Sequence, residues 1–316
     1  MKNRKGIYPP LVFSVFKPAK MSSYDVVRHF KRHLPQNFGK IGHFGTLDPF
    51  ASGVLMIGIS GAARLNDFIH DELPKTYLAV GKLGIETPTG DYTSEISQRD
   101  ESLYLKQEIA SFSKEFIQEK LTEKFLGDYW QAPHKYSAAK FMGKNLHEWA
   151  REGVEVKKEP VLRQVHRIQV VRYQFPYLSI RVTVSSGTYV RTLFSDMAQY
   201  LGTLGSLIAL VRESVGGVDT KSSLHMKDWP KDREPLFIER GKRVDQILKW
   251  PAIQLSDVEK LKFRNGAFLK LSVELPSAEY FWMTDGGGEL LGVCQRFGEE
   301  LRPKINFHSE GQDGPA

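Results

Sequence analysis

The chain has 316 residues, 41% of them hydrophobic and 26% charged, which suits one large domain plus a small one built around a sizeable core. No apolar run approaches the ~20 residues of a membrane span, and the N-terminal Lys2, Arg4 and Lys5 followed by Tyr8-Pro9-Pro10 form no long apolar signal core, so the cytoplasm is the expected compartment. The single Cys294 excludes an intramolecular disulfide framework and a multi-cysteine zinc site, and in its apolar setting it reads as a buried small hydrophobe. The net charge of +7 is concentrated: residues 135 to 172 hold nine Lys or Arg against four Glu. Such a segment is either a phosphate-facing surface or a solvated helix face laced with Glu–Lys pairs.

In chain order, residues 11 to 16 are an apolar run that predicts a buried strand. Ser22 or Ser23 then caps a helix whose apolar side is Val26, Val27, Phe30 and Leu34. A loop over 35–52 leads into a strand at 54–59, a helix over 62–73 with Leu65, Phe68 and Ile69 inward, and a strand at 77–83. The polar stretch 86–101 reads as an exposed loop and lacks the Gly-Lys-Ser/Thr of a phosphate loop. From Ser113 a helix places Phe116, Ile117, Leu121 and Phe125 on one side, and a short helix over 144–152 stops at Gly153. Strands over 165–173 and 178–184 follow; in the second, Leu178, Ile180, Val182 and Val184 alternate with polar residues, so one face is buried and the other wet. After the turn Ser185-Ser186-Gly187, Val190, Leu193, Phe194, Met197 and Leu201 form one stripe of a helix that ends at Gly202, with Arg191 in its first turn.

Strands and helices without a regular βαβ rhythm predict an α+β fold with a mixed, largely antiparallel sheet flanked by helices. Residues 1–217 form the main domain, 218–244 a linker, and 245–316 a small all-β module with strands at 268–273 and across 280–294 around the turn Asp285-Gly286-Gly287-Gly288. The tail from His308 reads as polar and disordered.

One stretch concentrates the chemistry. Gly42-His43-Phe44-Gly45-Thr46-Leu47-Asp48-Pro49-Phe50-Ala51-Ser52-Gly53-Val54-Leu55 carries one carboxylate on a glycine-rich loop before an apolar strand. Pro49 drives Asp48 out of the helical region, and the glycines permit close backbone approach. The plainer reading is a tight turn in which Asp48 accepts backbone hydrogen bonds. His43 has no second ligand at metal spacing and expects no metal.

This string resembles the catalytic motif of the TruB family, the bacterial tRNA pseudouridine-55 synthases, with Asp48 in the nucleophile position. Agreement continues through Lys17-Pro18, Met21-Ser22-Ser23, Lys75-Thr76-Tyr77, Tyr136-Ser137-Ala138, Gly187-Thr188-Tyr189-Val190-Arg191-Thr192 and Leu210-Val211-Arg212, in the family's order over about 13 to 215. Phe16, Lys20 and His134 depart from it: Phe16 stands where the family usually has an acidic or amide residue, Lys20 where it has glycine, and His134 where it has a second proline or an apolar residue.

The resemblance implies a pseudouridine synthase-like fold with a basic thumb-like segment at about 130–160 and a C-terminal PUA-like RNA-binding barrel. It implies isomerisation of the uridine at position 55 in the tRNA T-loop, by flipping the base, breaking N1–C1′ with Asp48, and joining C5 to C1′. Asp48 would attack C1′ or take the 2′ proton to give a glycal. A carboxylate in a closed pocket needs a partner cation, and Arg191 matches the family's. Tyr77 would stack on the uracil, Tyr189 and Leu210 would line the base pocket, His43 would stack in the gap left by the flipped nucleotide, and Lys17 would buttress the loop. Each also has a plainer reading as a core, turn or surface residue. No cofactor, no metal and no obligatory protein partner are expected, and the chain should be a monomer that binds the T-arm of tRNA. Two alternatives compete: a non-catalytic tRNA-binding or tRNA-folding protein on the same scaffold, and a glycoside or nucleoside hydrolase, for which a second carboxylate beside a motif is lacking.

Overall fold

The structure is a computed structural model that describes residues 8–133, 140–152, 154, 156, 158–270 and 275–307. Among them, ten strands form one mixed sheet in the order Lys242–Arg243, Leu11–Lys17, Ser52–Ile59, Gly205–Val215, Lys75–Leu83, Tyr177–Val184, Val161–Gln174 and Gly127–Gln131, with Ile41–His43 and Val218–Asp219 attached off this path. Every neighbouring pair along it is antiparallel except one: the strand Gly205–Val215 runs parallel to Ser52–Ile59 through Val211 beside Ser52 and Arg212 beside Gly53. The expected α+β fold with a mixed, largely antiparallel sheet is therefore present.

The alternation in Tyr177–Val184 has the predicted consequence. Leu178, Ile180, Val182 and Val184 face a core shared with the helices Lys114–Phe125 and Val190–Tyr200, while Ser179, Arg181 and Thr183 stay part-exposed. Helix Ser23–His33 is capped by Ser22, whose hydroxyl accepts from Asp25 N–H while the Asp25 carboxylate accepts from Ser22 N–H, a reciprocal cap of the kind worth ~1 kcal/mol. That frees Ser23 for another task, described below.

Several elements differ from expectation. The predicted helix over 62–73 winds as a 3₁₀ turn, Ser60–Leu65, and a π turn, Phe68–Glu72; the change of pitch keeps Ala62, Leu65, Phe68 and Ile69 all buried. The strand Gly205–Val215 was not expected, because bulges at 207/209 and 212/214 break the alternation that reveals a strand. In the stretch 86–101, read as an exposed loop, Thr87 and Asp91 are buried. Residues 218–244, read as a linker, lie against the main sheet: Leu224 bridges to Val15, Trp229, Phe237 and Ile238 pack with Phe13 and Phe30, and Lys242–Arg243 pairs with the strand Leu11–Lys17.

The C-terminal region curls as a five-stranded half-barrel sheet in the order Ala252–Gln254, Tyr280–Thr284, Leu290–Phe297, Glu300–Asn306 and Leu269–Lys270, with helix Asp257–Arg264 against it. The predicted hairpin at Asp285 joins Tyr280–Thr284 to Leu290–Phe297. This sheet is not a separate body: Trp282, Leu290, Val293 and Ile305 share one core with Val12, Val54, Met56 and Phe68. Several expectations lie outside the described residues: Tyr136-Ser137-Ala138 and His134, the stop at Gly153, the strand beyond Lys270 and the tail from His308.

Candidate active site

Asp48 opens a tight turn in which Ala51 N–H donates to the Asp48 carbonyl (3.1 Å), with Pro49 at the second position where its locked φ suits the bend. Three neighbours hold the turn by its backbone. Ser23 Oγ donates to Leu47 O (3.0 Å) and accepts from Leu47 N–H (2.8 Å), tying the residue before Asp48 to the first turn of a helix. Lys17, fully buried, donates from Nζ to Ala51 O (2.6 Å), Met21 O (2.6 Å) and Pro18 O (3.0 Å). Arg212, 1% exposed, sends Nε to Val54 O (2.7 Å), Nη1 to Thr46 O (3.3 Å) and Nη2 to Gly45 O (3.3 Å). Gly53 makes this possible. At φ +116° a side chain is strained, and a Cβ there would lie 2.2 Å from the Arg212 carbonyl.

The Asp48 side chain remains 34% exposed and meets Arg191, whose Nε lies 3.0 Å from Asp48 Oδ2 and whose Nη2 donates to Oδ1 at 3.3 Å. The first turn of the helix Val190–Tyr200 thus delivers the expected cation, and its side chain is buried rather than in water. Arg191 is shared. Its Nη1 donates to Thr89 O (2.8 Å) and approaches Asp91 Oδ2 (3.3 Å), while Asp91 Oδ1 accepts from Thr93 N–H (2.9 Å) and Thr89 Oγ1 (3.0 Å). One guanidinium therefore bridges a part-exposed carboxylate and a buried one. Burial raises the Asp48 pKa above the ordinary aspartate value; Arg191 opposes that rise, Asp91 adds to it, and Lys17 and Arg212 oppose it more weakly.

Tyr77 lies buried on the strand Lys75–Leu83, opposite Arg212 and Val182, in the same core as Leu47, Phe50 and Leu210. Leu210 is buried opposite Ala79. Tyr189 precedes its helix, and its backbone is gripped by one amide: Tyr189 N–H donates to Gln131 Oε1 (2.7 Å) and Gln131 Nε2 donates to Tyr189 O (3.0 Å). His43, on the short strand Ile41–His43, has a buried Nδ1 with no hydrogen-bond partner among the described residues, and burial, with the charges of Arg212 and His70, holds its pKa below the usual value. Lys20 sits at φ +68°, a left-handed position that favours glycine, with its N–H donating to Pro49 O (2.7 Å).

Sequence reasoning overlooked Asp91, Gln131 and the structural task of Arg212. The Thr-x-Thr-Gly-Asp pattern at 87–91 was visible, but nothing local says that its aspartate meets an arginine one hundred residues later.

The fold is that of the pseudouridine synthases. It matches the chain solved in a Cbf5-Nop10-Gar1 complex with a TM-score of 0.68, at 20% identity over 95% of this chain and 85% of that one. It matches the chain in an archaeal box H/ACA Nop10-Cbf5 complex with a TM-score of 0.65, at 19% identity over 97% and 87%. Residues 31–190 match the family described as TruB family pseudouridylate synthase, N terminal domain. A tRNA pseudouridine synthase B of Caldanaerobacter subterraneus subsp. tengcongensis is 32% identical over 303 residues, 94% of this chain and 98% of that protein. One of Thermotoga maritima is 34% identical over 266 residues, 83% and 80% of the two chains. The chain belongs to the TruB family of pseudouridylate synthases.

Proposed function

We propose that this protein isomerises the uridine at position 55 in the T-loop of tRNA to pseudouridine, with Asp48 as the group that acts at C1′. The observation that carries the reading is the Asp48–Arg191 pair: a carboxylate that reaches solvent, held by a buried guanidinium, on a loop whose backbone is pinned from three sides. The relatives named tRNA pseudouridine synthase B support tRNA as the substrate.

The reaction balances without an added reactant. The N1–C1′ bond breaks, uracil departs as a delocalised anion and turns, C5 bonds to C1′, the C5 proton leaves, and N1 gains one. Asp48 either forms an ester at C1′ or takes the 2′ proton to give a glycal. Arg191 keeps Asp48 ionised against burial. Tyr77 stacks on the base and assists at C5, while Tyr189 and Leu210 wall the pocket. His43 fills the gap left by the flipped nucleotide, offsetting part of the few kcal/mol that extrusion costs. Lys17 buttresses the loop.

Residues 1–217 carry the chemistry, with the basic segment about 130–160 as a thumb, and 245–316 serve as a PUA-like RNA-binding module. The protein acts as a monomer in the cytoplasm without a protein partner. No helix among the described residues is long and apolar enough to cross a membrane. The test is tritium release from 5-tritiated uridine in unmodified tRNA, compared with tRNA carrying cytidine at position 55. Release from the first and none from the second is expected; equal release from both would overturn the assignment of the position.

A further inference from the structure

A second cluster lies beside the catalytic loop and takes no part in holding Asp48. The His70 ring covers Gly45, where a Cβ would stand 3.0 Å from His70 Cδ2. On its other side Ser186 Oγ lies 3.2 Å from His70 Nδ1, which also contacts Asp71 Oδ1 at 2.6 Å. Arg163 completes the row. Its guanidinium rests on Gly187, where a Cβ would meet Cζ at 2.9 Å, and Nη1 makes a long bond, 3.3 Å, to Ser186 O. Among the described residues no carboxylate pairs with Arg163, so most of its five donors remain to be used.

Behind this row stand two buried cations, Lys75 and Arg212, which send donors to backbone carbonyls of His70 and of the catalytic loop. Buried cations without a direct counter-ion are costly and raise the positive potential at the surface above them. Asp71, largely exposed, is the carboxylate that this rim carries. The cluster touches both the loop bearing Asp48, through Gly45, and the turn that leads into Tyr189 and Arg191, through Ser186.

We propose that Arg163, Ser186 and His70 form a phosphodiester-binding shelf that grips the RNA backbone at a linkage flanking the target uridine. A guanidinium presents paired donors to phosphate oxygens, Ser186 Oγ, held against the His70 ring, adds another, and the cations behind favour the charge. Arg163 thereby acquires a task within the basic segment 135–172.

The inference rests on the RNA-modifying reading, and its test separates the two. A T-arm stem-loop is made with single methylphosphonate linkages, each neutral, scanned on both sides of the target uridine, and binding is measured for wild type, Arg163→Ala and His70→Gln. Neutralising one flanking linkage is expected to weaken wild-type binding about tenfold and Arg163→Ala binding less than about twofold, with the variant's salt slope lower by about one. His70→Gln, which loosens the hold on Ser186 Oγ but keeps a polar side chain there, should fall between them, and its thermal midpoint together with that of Arg163→Ala verifies folding. If both folded variants suffer the wild-type penalty at every linkage, the shelf is wrong, whatever the enzyme does. If wild type releases no tritium from the unmodified stem-loop or from tRNA, it is the isomerase reading that fails.

Discussion

The catalytic loop at 42–53 and the C-terminal half-barrel are fastened to the same central sheet by opposite means. The loop is held by directional bonds, with Lys17, Ser23 and Arg212 reaching its backbone at Leu47, Ala51, Thr46 and Gly45. The half-barrel is held by rings: Trp250 lies 5.0 Å from both Phe68 and Trp282, and Tyr280 lies 4.9 Å from Phe68. Hydrogen bonds set atoms to within tenths of an ångström, whereas apolar burial is non-directional and scales with area. The molecule therefore places precision where the Asp48 carboxylate is presented to Arg191, and bulk stability where a surface has only to stay attached.

Breaking the apolar side should cost stability and spare chemistry. Trp282→Ala removes a buried indole that also donates to Leu248 O (2.9 Å), and is expected to lose about 4 kcal/mol in urea unfolding. The rate per folded molecule should change by less than about threefold; a larger loss would mean that the half-barrel shapes the loop.

Breaking the polar side should do the reverse. Lys17→Met removes the ammonium that ties Ala51 O of the loop to Met21 O and Pro18 O beside it, and the resulting shift of Asp48 is expected to slow single-turnover isomerisation about 100-fold. The same variant carries a pH signature. Burial, then the charge of Arg212, pulls the Lys17 pKa from 10.5 down to about 8. Between those values the unfolded chain still holds the proton that the fold has released, so the contribution of Lys17 to stability rises with pH across that window. Lys17→Met should flatten part of the rise, the remainder belonging to Lys75, which burial also lowers to about 8. A wild-type slope in the variant would contradict the buried-cation account.

Asp91→Asn sharpens the comparison at the shared guanidinium. Arg191 loses one of two carboxylates, and the rate is expected to fall about tenfold. Asp91 also pushes the Asp48 pKa upward, so its removal should move the acid limb of the rate profile to lower pH, because the active carboxylate then persists further into acid. An unmoved limb would mean that Asp48 does not govern it.

The smallest effect belongs to Lys20→Gly. The residue holds φ +68°, and glycine there is expected to raise stability by about 1 kcal/mol in the same urea assay. A loss would show that the Lys20 side chain contributes more than its backbone strain costs.

What could be read from the chain followed the same division. The presented loop around Asp48 was legible because proline and glycines announce it, though the task of Asp48 itself came from the family's motif, and the stripe from Val190 to Leu201 was legible because helix periodicity is local. Arg191 required the family's motif, since a first-turn arginine alone reads as a residue in water. Asp91 was not legible: its partner is a hundred positions away, and a Thr-rich polar stretch looks the same whether or not it folds inward. The strand Gly205–Val215 was hidden by its two bulges, and 218–244 by charge that masked the buried Trp229, Phe237 and Ile238. Local pattern reveals elements; long-range charge pairing and irregular packing emerge only when the elements meet.

The most direct test of the central claim is single-turnover tritium release by Asp48→Asn, run beside tRNA binding. The amide keeps the shape of the side chain but cannot attack C1′ or take the 2′ proton, and Asp91 still neutralises Arg191. The account predicts no detectable release, a dissociation constant within about threefold of wild type, and unfolding free energy within about 1 kcal/mol of it. Release within about tenfold of the wild-type rate would contradict it.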